Sequence, residues 1–142
     1  MKNKKYACYP GRFQSPHFGH MTLFNEAFKQ NKNVLIMIRD VPTDEKNPFT
    51  AEEVKSLWEK VYQDRIKDGS VKVIIIPDIE SVNYGRGVGY EVNEIKVPDN
   101  IATISATDIR NGIKNDDDQW KLFVDESIHE DIYKLLKEKE LC

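Results

Sequence analysis

The sequence predicts an α/β domain in which a parallel β-sheet is flanked by helices. Short apolar runs occur at Tyr6–Tyr9, Asn33–Ile38 and Val71–Ile76, the latter two rich in β-branched residues, as suits strands buried on both faces. Helical patterns lie between them. The alternation strand, helix, strand, helix, strand implies parallel pairing through right-handed crossovers.

Each element follows in order. Tyr6-Ala7-Cys8-Tyr9 is the first strand, and Met21, Phe24, Ala27 and Phe28 then recur at helical spacing. Asn33–Ile38 is the second strand. Thr50 followed by Glu53 forms a capping box that opens a helix carrying Val54, Leu57, Trp58 and Val61. Val71–Ile76 is the third strand, and beyond Pro77 the chain becomes irregular. The glycine-rich Tyr84–Tyr90 lies there, and one more strand is expected within Tyr90–Val97. Two further boxes, Ser105 with Asp108 and Ser127 with Glu130, announce helices. The last helix sets Ile128, Ile132, Leu135 and Leu136 on one face that docks on the core. Residues 1–142 are read as one domain, with 125–142 a C-terminal helix packed on that core. Trp58 and Trp120 read as packing residues, His129 as a helix-end residue, and Asp116-Asp117-Asp118 as a solvated loop.

Composition narrows the partners. A net charge of −3 with 32% charged residues describes a well-solvated, slightly acidic surface. A pI of about 5.7 disfavours duplex nucleic acid, whose binding needs a basic footprint. Small charged ligands need only a few placed cations. Cys8 and Cys142 give neither a disulfide framework nor metal-ligand spacing, no apolar run approaches membrane-spanning length, and a cytoplasmic location is expected. Homo-oligomer formation is left open.

Two segments carry the chemistry. The first strand runs directly into Gly11-Arg12-Phe13-Gln14-Ser15-Pro16-His17-Phe18-Gly19-His20 and then into a helix. Ligands of open parallel sheets collect outside the carboxyl ends of strands, where a helix N-terminus offers free N–H groups to an anion. Gly11 permits close backbone approach to a ligand, and Gly19 lets the helix begin tightly against the strand. His17 and His20 share one face at the helix entrance and can hydrogen-bond phosphoryl oxygens. For the pair alone, the alternative is a turn with one capping and one core histidine. The second segment is Ile104-Ser105-Ala106-Thr107-Asp108-Ile109-Arg110. Hydroxyls, free N–H groups and a guanidinium converge at its helix start, as a second anion site requires.

Together the two segments resemble the nucleotidyltransferase, or cytidylyltransferase-like, superfamily, with its H-x-G-H and I-S-x-T-x-x-R signatures. The likeness is strongest to archaeal-type nicotinamide-nucleotide adenylyltransferases, which carry similar stretches to Gly11–His20, Asn47–Thr50 and Pro77–Ile79. The resemblance implies a Rossmann-like domain that transfers a nucleotidyl group from a nucleoside triphosphate to a phosphorylated acceptor, releasing pyrophosphate. It implies catalytic roles for His17, His20 and Arg110. It also implies that Arg12, Phe13 and Gln14 line the nucleotide and acceptor cleft, and that Ser105, Thr107 and Arg110 hold the β- and γ-phosphates. No covalent intermediate is implied, and Mg²⁺ is held mainly by the triphosphate rather than by a protein metal site. The chain departs from the pattern at Val54, where those enzymes have arginine, and in the short passage from Ile79 to Arg86, so the acceptor pocket must differ. Nicotinamide mononucleotide is one candidate acceptor. A cytidylyltransferase acting on a phosphorylated alcohol and a non-catalytic nucleotide-sensing module are the alternatives.

Other residues at the ligand side of the sheet have weaker claims. Arg39 can meet a phosphate and Asp40 a ribose hydroxyl, or the two can form a structural turn. Lys46 and Asn47 lie in a loop that can close over the triphosphate, and Arg86, amid three glycines, is a candidate for the acceptor phosphate.

Overall fold

Three strands, β1 (Tyr6–Gly11), β2 (Asn33–Asp40) and β3 (Val71–Pro77), form a parallel sheet in the order β1-β2-β3. The structure is a computed structural model that describes residues 5–87, 89–96 and 104–140. Register sets Gly11 opposite Ile38 and Asp40 opposite Pro77, so the three carboxyl ends share one edge of the sheet. Along β2, Val34, Ile36 and Ile38 are fully buried, while the alternate Leu35 and Met37 are only half-buried. One face of this strand is therefore dry and the other partly covered.

Helix α1 (Phe18–Lys29) buries Phe24 and Ala27, and the Tyr9 hydroxyl donates to the Leu23 carbonyl at 3.1 Å to tie β1 to it. Helix α2 (Ala51–Val61) opens with the expected box: Thr50 Oγ1 accepts from the Glu53 N–H at 3.1 Å, and Glu53 Oε1 accepts from the Thr50 N–H at 2.9 Å. Its apolar face buries Val54, Leu57 and Trp58, with the Trp58 ring 5.2 Å from Phe24. A short α3 (Gln63–Asp68) ends at Gly69, whose φ of 84° is the left-handed cap that glycine adopts without strain.

The second half supplies α4 (Ala106–Lys114), two 3₁₀ turns (Asp118–Phe123 and Glu126–Ile128) and α5 (His129–Glu140). Ile109 and Ile113 of α4 join Trp120, Val124, Ile128, Ile132 and Leu136 in the buried core. Ion pairs Lys60–Asp131 at 2.8 Å and Lys139–Glu53 at 2.9 Å fasten α5 to α2.

Three expectations are corrected. Ser105 caps α4 by accepting from the Thr107 N–H at 3.1 Å, and Asp108 completes no box, its side chain being a methylene shorter than the glutamate the motif uses. Ser127 is not the cap of the last helix. Asp125 takes its N–H at 3.0 Å and its hydroxyl at 2.5 Å, holding it in a 3₁₀ turn, and α5 starts at His129. Residues 90–96 hold no strand, and Val97 lies outside the described residues; Tyr90 and Val92 are exposed, so this stretch has no sheet to pack against. Asp116 accepts from the Tyr133 hydroxyl at 3.0 Å and pairs with Lys137 at 3.3 Å, which makes that acidic loop part of the α5 docking.

Candidate functional site

The turn after β1 is built around Phe13. Its φ of 51° folds the ring back over the end of the strand, where a Cβ on Gly11 would lie 2.8 Å from the ring. The ring also sits 4.9 Å from His20 and 5.5 Å from Trp58, both edge-on. The Phe13 ring thus packs directly on Gly11. Phe13 is a buried plug beneath His20, so its ring shapes the floor under the histidines.

Gln14 is fixed by a distant segment. Its carboxamide faces the backbone of Phe49, donating Nε2–H to the carbonyl and accepting the N–H at Oε1, both at 2.9 Å. The side chain is 6% exposed and braces one loop against another. Ser15 is fully buried beside it, and its hydroxyl has no partner among the described residues.

His17 and His20 form a capping box of two imidazoles. His17 is the N-cap of α1, and its Nδ1 accepts the Gly19 N–H at 3.0 Å. His20 Nδ1 reaches back to accept the His17 N–H at 3.1 Å. The rings stack with centroids 3.7 Å apart and planes 22° from parallel. A nitrogen that accepts carries no proton, so each neutral ring bears its hydrogen on Nε2. Burial pushes the His17 pKa down to about 4, and burial together with the His17 charge holds that of His20 well below the usual range. At neutral pH the pair therefore presents two uncharged Nε2–H donors.

Helix α4 brings the second segment to the same place. Arg110 Nη1 donates to the Gln14 carbonyl in a short hydrogen bond, and Nη2 donates to Thr107 Oγ1 at 3.4 Å. Arg110 as a whole is only 7% exposed, and burial and then the Arg12 charge lower its pKa, with Asp44 opposing. Arg12 itself is exposed. Ser105 and Thr107 stand at the open start of α4, where free N–H groups add to the positive field.

The remaining residues divide. Asn47 is buried in a turn organised by Asp44, whose Oδ1 accepts from the Lys46 N–H at 2.9 Å, the Asn47 N–H at 2.7 Å and the Asn47 side-chain amide at 3.0 Å. Those bonds hold the Asp44 carboxyl below its usual pKa. Asp44 was absent from the sequence candidates, although an aspartate three residues before an asparagine is the pattern of such a turn. Arg39 turns to neither a ligand nor Asp40. It pairs with Asp78 at the end of β3, with Nη2 at 2.7 Å and Nε at 2.8 Å, so its charge is matched. Asp40 is exposed at the end of β2. Arg86 lies on an exposed loop beside an open cavity of about 580 Å³ lined by Tyr84–Gly87 and Gly89–Val92, which includes none of the histidines or Arg110. Lys46 projects into solvent.

Two neutral imidazole donors, two guanidiniums, two hydroxyls and two helix starts are the groups that recognise a polyanion. Among the described residues no cluster of three or more His, Cys, Asp or Glu side chains has the makings of a metal site, and no helix is long and apolar enough to cross a membrane. The nicotinamide-nucleotide adenylyltransferase of Pyrobaculum aerophilum is 35% identical over 80 residues, covering 54% of this chain and 45% of that protein. The enzymes of the same name from Pyrobaculum neutrophilum and Pyrobaculum arsenaticum are each 28% identical, over 154 and 155 residues, covering 89% of this chain and 86% of theirs. A family model described as cytidylyltransferase-like matches residues 8–83, more than half of the chain, from β1 through β3 and including both histidines. The chain belongs to the cytidylyltransferase-like family.

Proposed function

We propose that the protein is an adenylyltransferase that moves the adenylyl group of ATP to a phosphorylated small-molecule acceptor. The observation that carries this reading is the bond from Arg110 to the Gln14 carbonyl, which joins the α4 start to the loop leading into His17 and His20. One triphosphate can then touch both segments. An oxygen of the acceptor phosphate attacks the α-phosphorus, the bond from that phosphorus to the bridging oxygen breaks, and pyrophosphate leaves. The two Nε2–H donors face the oxygens on which charge builds, while Arg110, Thr107 and the α4 N–H groups hold the β- and γ-phosphates. Because the donors are fixed before the substrate arrives, little reorganisation accompanies reaction.

Mg²⁺ accompanies the nucleotide in this reading. The groups gathered here are N–H and O–H donors, and the Asp44 carboxylate is committed to its own turn. Such a set fits phosphate oxygens and offers no carboxylate cage among the described residues, so the ion would be held mainly by the triphosphate and would supply charge neutralisation there. Nicotinamide mononucleotide is the first acceptor to try, given the names of the three relatives.

The test is a pyrophosphate-release screen crossing ATP and CTP with nicotinamide mononucleotide, glycerol 3-phosphate and phosphocholine in the presence of Mg²⁺. Turnover with ATP and one acceptor is expected. Silence in every combination, with ATP binding still measurable by calorimetry, would instead establish a nucleotide-sensing module.

A further inference from the structure

We infer that Gln14 is a positioning residue that sets where the Arg110 guanidinium stands relative to His17 and His20, a role that rests on the triphosphate reading above. Gln14 sits where three segments meet. Its side chain reaches Phe49 across 35 positions of sequence, and its own carbonyl receives Arg110 across 96. No other described residue joins the β1–α1 turn, the loop before α2 and the start of α4 through hydrogen bonds of this kind.

Phe49 is a firm anchor. Its ring is completely buried, and its neighbour Thr50 is the N-cap of α2, so the peptide that Gln14 grips is held from two sides. Both ends of the Gln14 carboxamide are engaged with the Phe49 backbone, donor to its carbonyl and acceptor from its N–H, and so with the peptide groups on both sides of that residue. The backbone of Gln14 is thereby suspended from α2, and its carbonyl becomes a fixed acceptor. Arg110 docks on it with Nη1, leaving Nη2 for Thr107.

The chemistry of the clamp fits an anion site. A guanidinium held by a carboxylate has much of its field cancelled by its partner, as Arg39 has by Asp78. Arg110 is held by a neutral carbonyl and a neutral hydroxyl, so it keeps its full positive charge for the ligand. Several of its five N–H groups also remain for phosphate oxygens. Glutamine suits position 14 for the same reason. A glutamate there would set a carboxylate oxygen against the Phe49 carbonyl and bring negative charge beside the pocket.

A double-mutant cycle with Gln14→Met and Arg110→Ala tests this, since methionine keeps the length and loses both bonds to Phe49. Inorganic tripolyphosphate is the calorimetric probe, because it needs neither base nor acceptor, and urea unfolding verifies that each variant folds. Gln14→Met is expected to weaken tripolyphosphate about tenfold and to lower kcat with ATP more than it raises the KM of the acceptor. In the Arg110→Ala background the same change is expected to do nothing further. Losses that multiply in the double variant, or wild-type affinity in Gln14→Met, would overturn the assignment. Tripolyphosphate ignored by the wild-type protein would instead overturn the triphosphate reading itself. Should Gln14→Met not fold, Gln14→Asn, too short to reach both Phe49 groups, runs through the same cycle with the same expected outcomes.

Discussion

His20 Nδ1 accepts the backbone N–H of His17 at 3.1 Å while His17 Nδ1 accepts that of Gly19, so both imidazoles cap the helix with one nitrogen and leave the other outside the cap. Capping and ligand contact are therefore divided within each ring, and substitutions can separate them.

His17→Asn and His17→Ala should differ in stability far more than in activity. Asparagine is a good N-cap, whereas alanine leaves the first turn of α1 without one, at a cost of about 1 kcal/mol. Both remove the Nε2–H, and both should slow pyrophosphate release on the order of a hundredfold. Unfolding in urea and steady-state kinetics on the two variants check this; near-wild-type turnover in His17→Asn would show that the ring only caps.

The same tautomers set the pH dependence. Burial depresses both folded-state pKa values, that of His17 to about 4, below the unfolded value near 6.5. The unfolded chain therefore binds protons that the native state refuses, and stability falls as pH drops from about 6.5 towards 4. From His17 alone the loss is about 2 to 3 kcal/mol across that window, with none expected from the pair above pH 7. Urea midpoints at pH 7 and pH 4.5 provide the measurement, and a His17→Asn variant should show a shallower decline.

Arg110→Ala should weaken ATP more than AMP, by about tenfold or more against less than threefold, because the guanidinium is assigned to the outer phosphates. Calorimetry with both nucleotides decides it. Equal losses would place Arg110 elsewhere on the ligand.

Arg39→Ala is expected to leave ATP affinity within twofold of wild type and to cost no more than about 1 kcal/mol, since its half-exposed pair with Asp78 joins the ends of β2 and β3. A large loss of nucleotide binding would mean that the pair opens for the ligand.

Gly11→Ala should destabilise the fold by about 1 to 3 kcal/mol through overpacking, because the new methyl would meet the Phe13 ring at 2.8 Å. The ring has little room to retreat, with His20, Phe24 and Trp58 around it. A thermal melt suffices as the readout.

What the sequence made legible was local. The alternation of short apolar runs with helical periodicity marks all three strands, and Thr50 with Glu53 locates the start of α2, because these signals depend on neighbours a few positions apart. The two histidines and Arg110 stood out by residue type and spacing. The side-chain contacts of their neighbours were hidden wherever a distant partner decides them. The turn folds Phe13 under His20 and ties Gln14 to Phe49, thirty-five residues on. Arg39 looks free until β3 delivers Asp78, thirty-nine residues on. The stretch 90–96 has apolar residues suited to a strand, yet a strand needs a partner edge, which sequence pattern cannot specify.

The ion pair from Lys139 to Glu53 has a practical outcome for anyone handling this protein. Glu53 closes the Thr50 box, next to the backbone that Gln14 grips, so the last turn of α5 is wired to the ligand loop through a single carboxylate. An affinity tag fused there, or a trimmed final helix, would not be a neutral handle: it would act as an unintended mutation of the ligand loop.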